Sequence, residues 1–421
     1  MNQLRAMQDE ASEKGRLQVN VVSSVTAFPV TNALISISYT GIPENTLETL
    51  TTDSSGQTET VELDAPPEEW SLDRNNERQP YSEYTLDISA PGYEPVSISG
   101  AEILANTKAI QNVRMRPSDN GQEEEEVFVI PAHTLYGDYP PKIAEEEIKP
   151  TNETGEIVLS RVVIPEYIVV HDGSPRDSTA KNYYVKYKDY IKNVASSEIY
   201  ATWPANTIRA NVLAIMSFTL NRVYTEWYRN KGYDFTITSS TAFDHKWIPE
   251  RNVYESISVI VDELFSNYLS RPNVRQPILT QYCDGRRVSC PDWMTQWGSK
   301  ELGDKGLSPI EILRYYYGDD MYINTAQEIS GIPASWPGYN LEQGARGDKV
   351  RQMQEEINVI AGAYPAIPKI SVDGIYGPAT AAAVEKIQSV FGLPVTGITD
   401  YKTWYKISEI YVGVSRIAEL T

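Results

Sequence analysis

The chain has 421 residues, 41% of them apolar and 22% charged, which is enough for several domains with cores of their own. No apolar run approaches the length of a bilayer span, so an integral membrane segment is not expected, and a net charge of −20 opposes a nucleic-acid backbone as partner. Two cysteines and three histidines are too few for a multi-cysteine metal cluster or a disulfide scaffold, and neither a metal nor a cofactor is expected.

The first sixteen residues, MNQLRAMQDEASEKGR, lack the apolar core of a secretory signal, so standard export is not expected from them. Over residues 17–116, LQVNVVSS, ALISISYT, YTLDISA and AIQNVRM alternate apolar and polar residues at period two between turn clusters such as TTDSSGQ and APGYEP. This pattern predicts a small all-β sandwich. FPVTNALISI, TDSSGQT and APGYE also resemble the transthyretin-like, carboxypeptidase-regulatory sandwiches, which are usually noncatalytic.

Residues 117–160 combine Pro, Gly and two glutamate runs. Their composition predicts an extended, solvated acidic linker, the place where a protease would cut first. Charge is unevenly spread: residues 1–116 carry −9, residues 117–160 carry −9, and residues 161–421 only −2. Cutting in the linker would therefore leave a nearly neutral back half.

Residues 161–335 read as one α+β domain. A strand-like RVVIPEYIVVHDG precedes a helical pattern from about Tyr187 to Tyr200 and a break at Trp203-Pro204. A long amphipathic helix follows, with Ile208, Val212, Met216, Leu220, Val223 and Trp227 along one stripe. Cys283 and Cys290 flank an expected hairpin. A disulfide and two buried thiols both remain open for them. The family resemblance given below adds, as a weak third option, a zinc site shared with His245 that would lack a fourth ligand. Residues 338–410 form a helical module in which Gly347-Asp348 and Gly377-Pro378 precede helices, with a weak internal repeat.

Two regions carry family signatures. GARGDKVRQMQEEINVI with ISVDGIYGPATAAAVEKIQSVFGLPVTGITDYKTW resembles the three-helix peptidoglycan-binding domain in order, spacing and glycine placement. Asp373, Tyr376 and Gln388 fall on its motif and are the wall-binding candidates. In the middle domain, YIKNVASSEIYATWPANTIRANVLAIMSFTL and WMTQWGSKELGDKGLSPIEILRYYYGDDMYI resemble two segments of the sporulation stage II protein D family. They depart from it in the alanine-rich helix and in CPDW ahead of the second segment.

That resemblance implies a lytic transglycosylase whose lone catalytic carboxyl is Glu198, before the Trp203-Pro204 pair. It implies a cleft lined by Thr295 and Gln296, with Trp203, Asp244 and His245 as further candidates. One carboxyl suffices because the nucleophile, the C6 hydroxyl of muramic acid, is intramolecular, unlike the two-carboxylate glycosidases. Sandwich, acidic linker, stage II D-like domain and wall-binding module in this order resemble the clostridial spore-cortex-lytic enzymes made as zymogens (the SleC type). The resemblance implies storage at the spore cortex or the coat–cortex boundary and activation by a subtilisin-like germination protease. The product would be 1,6-anhydro-muropeptides from cortex peptidoglycan. Two alternatives remain: a noncatalytic enhancer of a partner amidase, and a structural coat or cortex protein.

Overall fold

A computed structural model of the chain describes residues 13–118, 125–149, 159–326, 328–330 and 336–415. It is multidomain, with a β-rich N-terminal region and a helical C-terminal region. In the front region β1 (Glu13–Ser23) pairs antiparallel with β4 (Val61–Ala65) and parallel with β7 (Lys108–Met115). A second sheet has the order β3 (Thr46–Thr51), β2 (Leu34–Tyr39), β5 (Ser82–Ser89), β6 (Val96–Ile103), β8 (Glu126–Val129). Period-two alternation sends Leu17, Val19 and Val21 of β1, and Ile35 and Ile37 of β2, into the core between the sheets. A short helix, α1 (Glu69–Leu72), interrupts the strands. Strands β3, β4 and β6 lie outside the four segments that predict the sandwich.

The front and central regions are joined through more than the chain. Beyond β9 (Val163–Ile164), β10 (Tyr167–His171), β11 (Asn182–Lys186) and β12 (Ile237–Thr238), the two-residue strand β13 (Val253–Tyr254) pairs antiparallel with β7 of the front sheet. Beside it, Arg251 meets Glu102 at 2.7 Å with both side chains buried. Asn252 accepts from the Glu102 amide at 3.0 Å and donates to its carbonyl at 2.9 Å.

The central helices are α2 (Tyr187–Glu198), α3 (Ala205–Tyr224), α4 (Glu255–Leu264), α5 (Gln296–Asp304) and α6 (Pro309–Tyr317). Helix α3 corrects the expectation of a single apolar stripe, because it is buried nearly all round. Its polar residues are inside and bonded: Ser217 donates to Ile278 O at 2.8 Å and Asn221 to Pro277 O at 2.7 Å. Trp227 lies beyond its end. Five short strands follow α4 among the described residues: β14 (Asn267–Ser270), β15 (Tyr282–Cys283), β16 (Met294–Thr295), β17 (Tyr322–Thr325) and β18 (Glu328–Ile329), the last pairing with β9. Cys283 and Cys290 form a disulfide. The flanking β15 and β16 run parallel, so the bridge closes a crossover loop and not the expected hairpin.

The largest correction concerns residues 117–160. Residues 119–124 and 150–158 lie outside the described ones, but 130–149 form a strap packed across the central region. The Ile143 amide donates to Ala242 O at 2.6 Å, the Leu279 amide to Glu147 O at 2.9 Å, and the Glu145 amide to the Gln281 side chain at 2.8 Å. Glu147 takes both arms of Arg271 at 2.8 Å, and Glu145 takes both arms of Arg222 at 2.6 and 3.0 Å. Two of the acidic side chains that suggested a solvated linker, Glu145 and Glu147, are anchors, and their arginine partners lie far off in sequence.

The C-terminal region holds α7 (Asp348–Ala363), α8 (Pro378–Val390) and α9 (Tyr401–Ser415). The internal repeat has a physical basis in two buried glutamines. Gln354 donates to Asp373 Oδ1, Ile375 O and Thr380 Oγ1, and accepts from the amides of Asp373 and Gly374. Gln388 makes the same five bonds to Thr396, Ile398, Thr403 and the amides of Thr396 and Gly397. Gly374 and Gly397 have φ of 72° and 66°, the left-handed turns these amides require.

Of the wall-contacting candidates, Tyr376 and Gln388 are buried and so turned away from a ligand, whereas Asp373 is exposed. Gln388 and Tyr376 are each 1% exposed, Tyr376 donates to Gly397 O at 2.9 Å, and Asp373 accepts from the Ile375 amide at 2.8 Å. All three hold turns. Gln388→Ala strands several buried turn groups and is expected to destabilise the module by about 2 kcal/mol or more. Thermal unfolding of the full chain should show an earlier transition, with peptidoglycan retention lost in step with it.

Candidate active site

Helix α2 ends at Glu198, and its burial among Ile191, Val194, Ala195 and Ile199 fixes where the carboxyl points. Glu198 is 3% exposed. Its Oε1 accepts from the Lys246 amide at 2.7 Å and its Oε2 from the Tyr282 hydroxyl. Burial pushes the carboxyl above its ordinary range, against the opposing pull of Lys142, the Lys246 amide and Tyr282. Gln296 at the start of α5 donates to the Glu198 carbonyl at 2.9 Å and so ties α5 to the end of α2.

A cavity opens at this carboxyl. Its lining includes Glu198, Gln296, Tyr282, Asp284 and Thr241 from the central region, with Thr134, Tyr139, Pro140, Pro141 and Lys142 from the strap. Asp284 is the other carboxylate in that lining, and its two oxygens accept from the amides of Arg287 and Val288 at 2.8 and 2.9 Å. Glu198 is thus the acid poised toward the space.

The remaining candidates divide. His245 is buried nearby and stacked on Tyr282, with centroids 5.8 Å apart and planes at 12°. Its Nδ1 pairs with the Tyr190 hydroxyl at 3.1 Å, its Nε2 has no hydrogen-bond partner, and burial with Lys142 and Arg222 nearby keeps it neutral. The disulfide removes the zinc option for Cys283, Cys290 and His245, since both sulfurs are bonded to each other. Asp244 does not face the cavity: Arg222 Nε at 2.7 Å, the Tyr228 hydroxyl at 2.7 Å and both Thr238 donors surround it. Trp203 is 3% exposed, donates to Ser71 O of the front region at 3.0 Å and packs on Trp297, so it is part of an interface. Thr295 caps α5 by accepting from the Gly298 amide at 3.2 Å. The structure thus gathers Glu198, Gln296 and His245 and leaves Asp244, Trp203 and Thr295 in supporting roles.

Three participants were missed: Tyr282, Lys246 and Lys142. The one sequence signal for the last was that residues 117–160 hold only two basic side chains, Lys142 and Lys149. Both turn inward. Lys149 pairs with Glu145 at 2.6 Å and lies over the Trp227 ring at 4.3 Å.

The strap anchor at Glu145 carries a pH dependence. Arg222 and Lys149 outweigh burial and hold its carboxyl at about 2, below the ordinary 4.5. A lowered acid stabilises the folded state fully above the ordinary value and loses that contribution as pH falls toward the folded one. Strap residues are therefore expected to become protease-sensitive between about pH 4.5 and about pH 2, read by limited proteolysis with an acid-active protease. Unchanged sensitivity across that window would contradict the anchoring role.

Comparison with known proteins places one part of the chain. Residues 346–407 match the peptidoglycan binding domain family. A stretch of 77 residues is 40% identical to the zinc D-Ala-D-Ala carboxypeptidase of Streptomyces albus G, covering 18% of this chain and 28% of that one. A stretch of 83 residues is 41% identical to a protein encoded in the bpoA1 3' region of Kitasatospora aureofaciens, covering 20% of this chain and 64% of that one. The chain thus spans less than two thirds of either relative. Among solved structures, the SleB N-terminal domain is 27% identical with a TM-score of 0.16, covering 18% of this chain and 99% of that one. The chain carries a peptidoglycan-binding domain and is a cell-wall-related protein. No helix among the described residues is long and apolar enough to cross a membrane.

Proposed function

We propose that this chain is the zymogen of a lytic transglycosylase that cleaves peptidoglycan glycan strands, stored at the spore cortex and activated by a subtilisin-like protease cutting within residues 117–160. The observation that carries the reading is the buried, upward-shifted carboxyl of Glu198 at a cavity with no second poised acid, in a chain with a peptidoglycan-binding domain. A carboxyl whose proton affinity is raised by burial donates its proton to the glycosidic oxygen as the bond from muramic acid C1 breaks. The resulting carboxylate takes the proton of the C6 hydroxyl as that oxygen closes on C1. The products are a 1,6-anhydro end and a free C4 hydroxyl on the departing sugar, with no water consumed. Gln296 fixes Glu198 through its backbone, and Tyr282 and the Lys246 amide orient its two oxygens.

The strap supports the zymogen part of the reading. With residues 134–142 in place the cavity offers about 60 Å³ of water-accessible space. Small-ligand pockets start at about 300 Å³, so the seated strap narrows the space beside Glu198 well below what a bound sugar needs. The test compares glycan release from purified cortex before and after a protease cut within residues 117–160. Release only after the cut is expected, and equal release by the uncut chain would overturn the zymogen reading.

A further inference from the structure

The strap does more than fill space, because one of its side chains puts a positive charge where the proposed chemistry would need one. Lys142 runs into the site, and its ammonium lies 4.9 Å from the centroid of the Tyr282 ring and 5.0 Å from that of Phe218. It donates to the Asp244 backbone carbonyl. The hydroxyl of that same Tyr282 donates to Glu198, so the ammonium and the carboxyl share one aromatic side chain. Lys142 is also the principal charge acting on Glu198. Two ring faces and an inward carbonyl make a seat for a cation.

We propose that Phe218, Tyr282 and the Asp244 carbonyl form a cation subsite beside Glu198, which Lys142 occupies in the uncut chain and a sugar ring bearing positive charge at its reacting carbon occupies after the strap leaves. Glycosidic cleavage passes through an oxocarbenium-like state whose positive charge sits next to the acid. A subsite that attracts a cation more than a neutral ring favours that state over the bound substrate, which is the condition for a rate gain. Lys142 then acts as a tethered mimic of the charged sugar, and the strap closes the enzyme by borrowing its own catalytic electrostatics. This inference rests on the glycan-cleaving reading for the identity of the ligand, but the cation seat stands on geometry alone.

The first test uses the full uncut chain and needs no activity. Lys142→Ala empties the seat, and n-butylammonium chloride, one carbon longer than the group removed, supplies an alkylammonium to refill it. The expected result is a rise in the thermal midpoint of Lys142→Ala with butylammonium and none with butanol at matched ionic strength. Wild type and Lys142→Met, whose seat is already filled, should not respond. The same response to butanol as to butylammonium, or no response to either, would overturn the subsite.

The second test covers the case in which Lys142→Ala does not fold. It compares inhibition of the strap-cut wild type by protonated 2-acetamido-1,2-dideoxynojirimycin and by the neutral lactam of the same ring. About tenfold tighter inhibition by the charged ring is expected from cation–π attraction in a desolvated seat. Equal inhibition would contradict it. Failure of the glycan-cleaving reading shows separately, as no fragments from the cut wild type, and the butylammonium comparison then decides the subsite by itself.

Discussion

Glu198→Gln is expected to lower glycan release by the strap-cut protein by about 10³-fold, within the range for loss of a general acid–base group. The substitution keeps the shape of the side chain, so packing at the end of α2 is undisturbed. The amide oxygen still accepts from the Lys246 backbone N–H, while the side chain loses both the proton to give and the base to take one back. Its folded stability should match wild type or exceed it, because a buried titratable group has been replaced by a neutral one. Release rates on purified cortex, with thermal unfolding beside them, check both halves. A mutant that unfolds early would say nothing about catalysis, whereas a stable mutant with wild-type release would remove Glu198 from the mechanism.

Arg222→Met is expected to destabilise the folded chain by about 3–5 kcal/mol, the cost of leaving buried charges without their partner. The Arg222 side chain is fully buried. It meets Asp244 at 2.7 Å on one side and Glu145 of the strap at 2.6 Å on the other. Methionine would leave Asp244 with only the neutral donors Tyr228 and Thr238, and Glu145 with Lys149. The effect should appear twice: as a lower unfolding midpoint, and as earlier cutting of strap residues at temperatures where the rest of the chain is still folded. Arg222→Met with wild-type stability would mean that the network is replaceable, as some buried ion pairs are.

Much of the site was legible where chemistry is local. Glu198 comes from the resemblance carried by a short segment ending in Trp203-Pro204, and the structure places it at the end of α2 beside a cavity. Gln296 comes from the same resemblance, and the structure places it at the start of α5 in the lining of that cavity. The partners that tune Glu198 were not legible, because Tyr282 is 84 positions away and meets it only through tertiary packing. The strap was misread for a physical reason. Composition reports how many charges a segment carries and says nothing of where the opposite charges lie, and Arg222 and Arg271 lie in the central region.

The same limit explains Asp244 and the wall-binding candidates. A polar residue within a matched motif suggests a ligand contact, yet Asp244 faces a buried arginine and Gln388 faces two turn amides. In the small C-terminal module, the polar residues that define the pattern are those that satisfy buried backbone groups in glycine turns, which no hydrophobic side chain could do. The fold class was legible at the level of β-rich front and helical back. The strand β13, which joins the front sheet from the central region, carries no sequence signal at two residues long.

The most direct measurement is mass spectrometry of the muropeptides released from decoated spore cortex by the strap-cut protein, wild type beside Glu198→Gln. Anhydro-muramyl ends, one water lighter than hydrolysis products, should appear with wild type and vanish with the mutant. Reducing ends in place of anhydro ends would make water the nucleophile and require a second carboxylate, and equal release by both proteins would remove Glu198 from the chemistry altogether.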